Sequence, residues 1–537
     1  MKKIKFDPLE YPYPSRRSVI YAKKGMVATS QPLASQTGIE ILKRGGNAID
    51  AAIGTAASLT VLEPNNNGIG GDAFAMIWNG EKLYGLNSSG SSPSSISIEK
   101  LKNKGYEEMP LYGWEPVTIP GVPGGWAELS EKFGKLSFSE TLKPAIKYAK
   151  EGYPVSPKVG KAWGKFYNTY KQLQGEEFKY WFNTFTTENN KPPKIGSLWK
   201  SEDHAETLQK IAKSKVKSFY KGKIADEIDE FSKKYGGYIS KKDLEKFSPK
   251  WVDPIKVNYR NYEVWEIPPN SQGLIVLLAL NILKGFNFDA KEQADTYHKQ
   301  IEALKLAFAD GQKFITDPEY MNVNIDTLLS EDYSEKRREK IKEKAIKAEA
   351  GNPSTGDTVY LATADRQGNM VSYIQSNYEG FGSGLVVPNT GIALQNRGAL
   401  FSLDPQNTNC LTPEKKTYHT IIPGFVTKEG KPGGPFGVMG GFMQPQGHLQ
   451  VITNTIDFGL NPQATLDAPR WRWANRRTVK LEHGVPLSIS KNLSRKNHNI
   501  EYSIKTEKFG KGQIIWKIND VIAGGTEPRS DGTIAAW

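Results

Sequence analysis

The chain has 537 residues with 71 Lys or Arg against 58 Asp or Glu, a formal net charge of +13. That length allows two lobes on one core, and the single cysteine, Cys410, rules out an intrachain disulfide and fits a reducing compartment. The lysines are spread along the chain, and the densest basic block (335–347) alternates with glutamates as on a solvated helix face; no DNA or RNA motif accompanies them, no apolar run approaches the roughly 20 residues of a membrane span, and Met1-Lys2-Lys3 leads into no signal-like stretch, so a soluble, cytoplasmic protein is expected.

In chain order, residues 26–29 read as a strand and 32–43 as a helix stopped at Gly45-Gly46. Asn47 caps an alanine-rich helix to about Leu62. Residues 73–78 and 81–86 form a hairpin around Asn79-Gly80. Helices follow at 126–133 and 138–151, then an aromatic, lysine-rich and helical stretch over 160–240. Strands at 254–259 and 262–267 precede helices at 274–284 and 294–313 and a charged helix at 333–349. The small, polar segment from Ala350 to Asp357, punctuated by Pro353 and two glycines, reads as an exposed and mobile linker. Strands at 358–364, 370–376, 385–387, 391–394, 420–427 and 435–440 come next, then a helix at 444–458 and short closing strands. Strands mixed with segregated helices predict an α+β layered architecture.

The chemistry concentrates where the linker ends. Thr358–Ala364 and Met370–Ser376 form a hairpin. Pairing symmetric about Gln367 places Thr358 opposite Ser376, with Cβ atoms about 4.5–5.5 Å apart. A neighbouring hydroxyl can align the threonine oxygen and carry its proton. Gly440-Gly441 follows a strand, and glycine lets backbone N–H groups approach a substrate as an oxyanion hole requires. The chain has no His-Glu-x-x-His, Gly-x-Ser-x-Gly or Walker A motif. Gly68-Ile69-Gly70-Gly71-Asp72 follows a helix and precedes a strand, the reverse of a dinucleotide fingerprint.

Several runs together carry a family resemblance: Gly25–Ala28, Leu42–Ala52, Gly68–Gly71, Ile119–Trp126, Thr358, Phe381–Gly384, Asp457–Asn461, Ala468–Arg470 and Glu527–Gly532. In order and spacing they resemble the gamma-glutamyltranspeptidase family of N-terminal nucleophile hydrolases over nearly the whole chain. The resemblance implies a four-layer αββα sandwich and a proenzyme that cuts itself between Asp357 and Thr358. The pieces 1–357 and 358–537 would stay associated, and a higher oligomer is compatible with the sequence. Thr358 is then the nucleophile, its freed α-amine the base, Ser376 the supporting hydroxyl, and Gly440 and Gly441 the oxyanion donors. The implied substrate is a small-molecule amide of gamma-glutamyl type, with water or an amine as acceptor and no metal or organic cofactor.

The chain departs from the family where the substrate's head group is held. Ser89 stands where an arginine grips the α-carboxylate, and Leu400 where an acidic residue meets the ammonium. Arg397 and Tyr378 replace amide side chains, and His419-Thr420 replaces paired serines. An ammonium beside Arg397 with no carboxylate partner costs on the order of several kcal/mol, unless Glu379 or Asp404 meets it. These differences point to an acyl group without an α-ammonium, as in the family's glutaryl-type cephalosporin acylases. A non-catalytic scaffold of the same fold is the remaining alternative. Cys410 has no evident base, His204 and His298 read as helix-face residues, and His419 reads as a pocket wall or a structural hydrogen bond. The aromatic segment 163–182 reads as helix core or a contact surface.

Overall fold

The computed structural model describes residues 17–348 and 356–537. Linker residues 350–355 and the end of the charged helix at 349 lie outside the described residues.

Two seven-stranded sheets form the centre. Numbered in chain order, their strands are β1 (Ile20–Ala22), β2 (Gly25–Thr29), β3 (Asp72–Asn79), β4 (Leu83–Ser88), β5 (Lys250–Val252), β6 (Ile255–Tyr259) and β7 (Tyr262–Glu266). Beyond the linker come β8 (Asp357–Asp365), β9 (Asn369–Tyr378), β10 (Gly424–Lys428), β11 (Lys431–Met439), β12 (Lys511–Ile518), β13 (Val521–Thr526) and β14 (Thr533–Ala536). One sheet runs β14-β2-β8-β9-β3-β4-β5, the other β1-β13-β12-β11-β10-β7-β6. Strands from before and after residue 358 are hydrogen-bonded neighbours in both.

The sheets pack face to face. Strand side chains alternate between faces, so Tyr360, Ala362, Met370 and Ile374 point into the space between sheets with Phe425, Met439 and Ile515. Val359, Leu361, Val371 and Tyr373 point the other way, into the helical layer. Both faces of β8 and β9 are buried, polar residues such as Thr363, Ser372 and Gln375 included.

Helices α1 (Pro32–Lys43) and α2 (Ala48–Leu62) cover the first sheet. All of α2 is buried, sandwiched between β8, β9 and the helix Phe138–Glu151, and its alanines permit that close approach. Asn47 caps it as predicted, in a reciprocal capping box with Asp50. Helices α3 (Gly273–Leu283) and α5 (Met443–Ile456) cover the second sheet, with α4 (Ala294–Phe314) packed outside α3. The four layers are αββα, the architecture expected.

Some expected elements differ. The charged helix ends at Arg338, not at 349; beyond it the backbone is captured by other residues, as Ile346 N–H donates to Glu302 and Lys305 donates to the Ile346 carbonyl. Residues 385–387 and 391–394 form one isolated bridge, Val386 to Ala393, rather than strands of a sheet. The closing region carries helices Pro462–Asp467 and Leu487–Arg495 among its strands. The aromatic segment is core: Trp163, Phe166, Tyr170 and Trp181 ring Phe381, with centroids 5.2–6.3 Å away.

Candidate active site

Strands β8 and β9 pair in the predicted register from Val359–Gln375 onward. At the open end the register slips, and Asp357 pairs with Tyr378. Thr358 therefore sits on a bulge, a local distortion that re-aims a side chain, rather than in a regular pair with Ser376. The two hydroxyls still meet. Thr358 Oγ1 donates to Ser376 Oγ at 3.3 Å, and Ser376 Oγ donates to the Asp357 carbonyl at 2.6 Å. The Tyr378 backbone N–H donates to the same Ser376 oxygen at 2.8 Å. Gly71 packs directly behind this strand; a Cβ there would stand 2.5 Å from the Ser376 carbonyl oxygen.

On the facing sheet, β11 ends at Met439 and turns through Gly440 (φ 132°) and Gly441 (φ 57°). Side chains with a Cβ rarely adopt such values. The two glycine carbonyls accept from the N–H groups of Met443 and Gln444 as α5 begins. Gln444 Nε2 reaches Thr358 Oγ1 at 3.5 Å, while its Oε1 accepts from Ile422 N–H at 3.0 Å. Gln272 Nε2 donates to the carbonyls of Thr420, at 2.5 Å, and Gly441, at 3.1 Å. Neither glutamine carries a motif of its own in the sequence, so neither was among the expected site residues. A cavity of about 30 Å³ lies against the Asp357–Thr358 bond, lined by Gly356, Gly440, Asn66 and Lys511 among others. That is room for a water or two.

Arg397 is fully buried. Its Nη1 donates to Thr420 Oγ1 at 2.6 Å, and its guanidinium lies over the Tyr378 ring at 4.7 Å. Burial pushes its pKa down to about 10, against the nearby carboxylates of Asp72 and Glu379, so it stays cationic at neutral pH. Glu379 is pushed up to about 7 by burial and by Asp357. Asp357, whose Oδ2 accepts from Gly380 N–H at 3.1 Å, is also raised by burial.

His419 donates from Nε2 to Asp72 Oδ2 at 3.2 Å, and its Nδ1 accepts from Ile421 N–H at 3.4 Å. Burial, with Arg397 and Lys416 nearby, holds this imidazole neutral. Asp72 is raised to about 7 by burial, and its other oxygen accepts from Gly90 N–H. Ser89 is buried and donates to Asn87 at 2.7 Å. Thr358, Ser376, Tyr378, Arg397, Thr420 and Gly441 are thus linked by direct contacts or through Gln272. His419 and Ser89 join this group at its edge, around Asp72. Leu400 is half-buried and Asp404 exposed, so of the two acids named as possible ammonium partners only Glu379 lies beside Arg397.

Other candidates fall elsewhere. His204 lies on the buried face of the helix Glu202–Ser214, bonded to Ser201 and pushed down to about 4 by burial. His298 is buried as well, with Nδ1 2.8 Å from His498 Nε2 and Glu302 close by. The Lys305 ammonium already pairs with that glutamate at 2.7 Å, so the cluster is held together by its own bonds. Cys410 is half-buried, 3.9 Å from Thr412 Oγ1. Among the described residues no helix is long and apolar enough to cross a membrane.

Comparison with known proteins agrees with this architecture. The sequence profile of the gamma-glutamyltranspeptidase family matches residues 34–537. The glutathione hydrolase-like YwrD proenzyme of Bacillus subtilis is 35% identical, over 96% of this chain and 99% of its own length. The oxamate amidohydrolase proenzyme of Klebsiella pneumoniae is 31% identical, over 96% and 98%. The crystal structure of cephalosporin acylase from Bacillus halodurans superposes with a TM-score of 0.97 at 58% identity, covering 99% of both chains. Matched from residue 34 to its end and along nearly the full length of these relatives, the chain belongs to the gamma-glutamyltranspeptidase family.

Proposed function

We propose that the chain is a proenzyme that cuts itself between Asp357 and Thr358 and then hydrolyses or transfers the acyl group of small-molecule amides through Thr358. One observation carries this reading: the hydroxyls of Thr358 and Ser376 meet at the peptide bond to be cut, with Ser376 already donating to its carbonyl.

In the first step Thr358 Oγ1 attacks the Asp357 carbonyl carbon. Its proton passes toward Ser376, whose own hydrogen bond polarises the carbonyl. The C–N bond breaks and an ester forms. Water from the adjoining cavity hydrolyses the ester, leaving a carboxylate on Asp357 and a free α-amine on Thr358. That amine then serves as base for the same residue's hydroxyl in turnover. An incoming amide acylates Thr358 and expels its amine, and water or a second amine takes the acyl group. The turn at Gly440-Gly441 supports an oxyanion hole, since donors fixed in advance stabilise the tetrahedral intermediate without reorganising. The fragments 1–357 and 358–537 remain one folded body.

Relatives named as glutathione hydrolases and as acylases leave two acyl classes. The surroundings of Arg397 favour the second. A gamma-glutamyl group brings an ammonium; Leu400 offers it nothing where the family carries an acid, and Glu379, the acid that lies beside Arg397, is pushed up to about 7 by burial and so carries only part of a charge at neutral pH. The relative named as an oxamate amidohydrolase supports this reading, since the acyl group of oxamate carries a carboxylate and no ammonium.

Intact mass tests the reading. Wild type should yield two fragments split between Asp357 and Thr358, and Thr358→Ala should stay whole. Ser376→Ala should process more slowly, by about 10²–10³-fold if it removes one oxyanion donor. A wild-type chain that stays whole and shows no amidase activity would leave a scaffold without catalysis.

A further inference from the structure

A buried charge without a full set of partners is costly, because water is excluded and nothing replaces it. Arg397 is such a charge. Only Nη1 is engaged, by Thr420; Nε and Nη2 are buried and have no hydrogen-bond partner. These two nitrogens share one edge of the guanidinium plane. Their N–H bonds run parallel, spaced to meet both oxygens of one carboxylate. Asp72, whose oxygens accept from His419 and Gly90, makes no hydrogen bond to that edge.

The same arginine is tied to the reacting centre from two sides. Tyr378, held at φ 80°, a strained value for an aromatic residue, lays its ring against the guanidinium and sends its backbone N–H to Ser376 Oγ. On the other side Arg397 holds the Thr420 hydroxyl, while Gln272 joins the Thr420 carbonyl to that of Gly441. The fork is thus fixed relative to both the supporting hydroxyl and the glycine turn.

We propose that the free edge of Arg397 is the receptor for a carboxylate at the far end of the acyl group, so that the preferred substrates are monoamides of dicarboxylic acids. This rests on the reading of Thr358 as the nucleophile. A buried cation at this place disfavours an acyl group that carries an ammonium, and Arg397 acts as a specificity-determining residue. Reaction balance is unchanged: the amide C–N bond breaks at Thr358 while the distal carboxylate stays ionised and unreacted.

The test uses the self-cleaved wild-type enzyme. The monoanilides of oxalic, succinic and glutaric acids are compared with the neutral acyl anilide of matching length and with gamma-glutamyl anilide. At least one carboxylated acyl group should exceed its neutral match in kcat/KM by roughly 30- to 1000-fold, the range for a buried, hydrogen-bonded charge pair. Arg397→Gln should erase that ratio and Arg397→Lys should restore part of it. Intact mass reports whether each variant still folds and cuts itself. Independently of any variant, the free dicarboxylate of the preferred length should inhibit the wild type competitively, and its neutral diamide should not. Equal turnover of neutral and carboxylated acyl groups, preference for gamma-glutamyl, or indifference to every dicarboxylate by a self-cleaved chain would overturn this inference alone. A chain that never cleaves itself would overturn the Thr358 reading and this inference with it.

Discussion

Glu379 shows what burial does to a single group near the cut. It lies between the cation of Arg397 and the carboxylate of Asp357, and burial dominates, raising it from 4.5 to about 7. A carboxylate raised on folding binds its proton more tightly in the native state. Between roughly pH 4.5 and 7 the native state therefore holds more protons than the unfolded chain, and stability falls as pH rises. The contribution is on the order of 2–3 kcal/mol at neutral pH. Measured by denaturant unfolding in the uncleaved Thr358→Ala background, Glu379→Gln should gain stability relative to its parent as pH rises from 4.5 to 7, with the two converging at the acid end. Parallel curves for the two chains would show that Glu379 ionises freely. This perturbation was not legible from the sequence: Glu379 was one of two alternatives there, and only the packing of the 380–384 loop separates it from the exposed Asp404. The meeting of the Thr358 and Ser376 hydroxyls was legible because it needs only a hairpin register about Gln367, although the bulge at Thr358 was not, and the role of nucleophile came from the family resemblance.

Elements legible in the sequence are those whose pattern is local. Asn47 before an alanine run, Asn79-Gly80 between strands and the apolar periods of β8 and β9 each carry their own signal. Elements that failed depend on distant residues. The charged stretch after Arg338 has a helical pattern, but Glu302, Lys305 and His298 bind its backbone in an irregular path. Gln272 reaches Gly441 and Gln444 reaches Thr358 only because connections from different parts of the chain approach one another there. The aromatic helices show the same dependence in a productive form. They close around Phe381, and a Cβ on the adjoining Gly380 would stand 2.4 Å from Phe166. That loop presents the Gly380 N–H to Asp357. Phe381→Ala should therefore cost about 3–5 kcal/mol through the cavity it leaves and also slow self-cleavage, because Asp357 loses its fixed support. Denaturant midpoints and the half-time of processing test the two parts. Lost stability with unchanged processing would confine Phe381 to packing.

The whole molecule answers what becomes of the chain once it is cut. Five strand pairings join the segments on either side of residue 358: β1 with β13, β2 with β8, β2 with β14, β3 with β9, and β7 with β10. Strand β2 is enclosed, with a strand from the later segment on each side. Further bonds cross between segments at the helical layer, where Asp365 accepts from Ala48 N–H at 2.8 Å and Thr363 donates to the Ala48 carbonyl at 2.7 Å. The inter-sheet core belongs to neither fragment alone, because it draws Met26 and Phe74 from one and Tyr360 and Ile515 from the other. Breaking one peptide bond at the end of β8 removes none of these contacts. The cut enzyme should therefore show two bands on a denaturing gel, co-elute in one peak on native gel filtration, and unfold in a single transition by circular dichroism and tryptophan fluorescence alike. Either fragment expressed alone should fail to fold, since each would expose unpaired strand edges and half of an apolar interface. Fragments that separate under native conditions, or unfold in two resolved steps, would show that the interleaved sheets do not hold the pieces as one body.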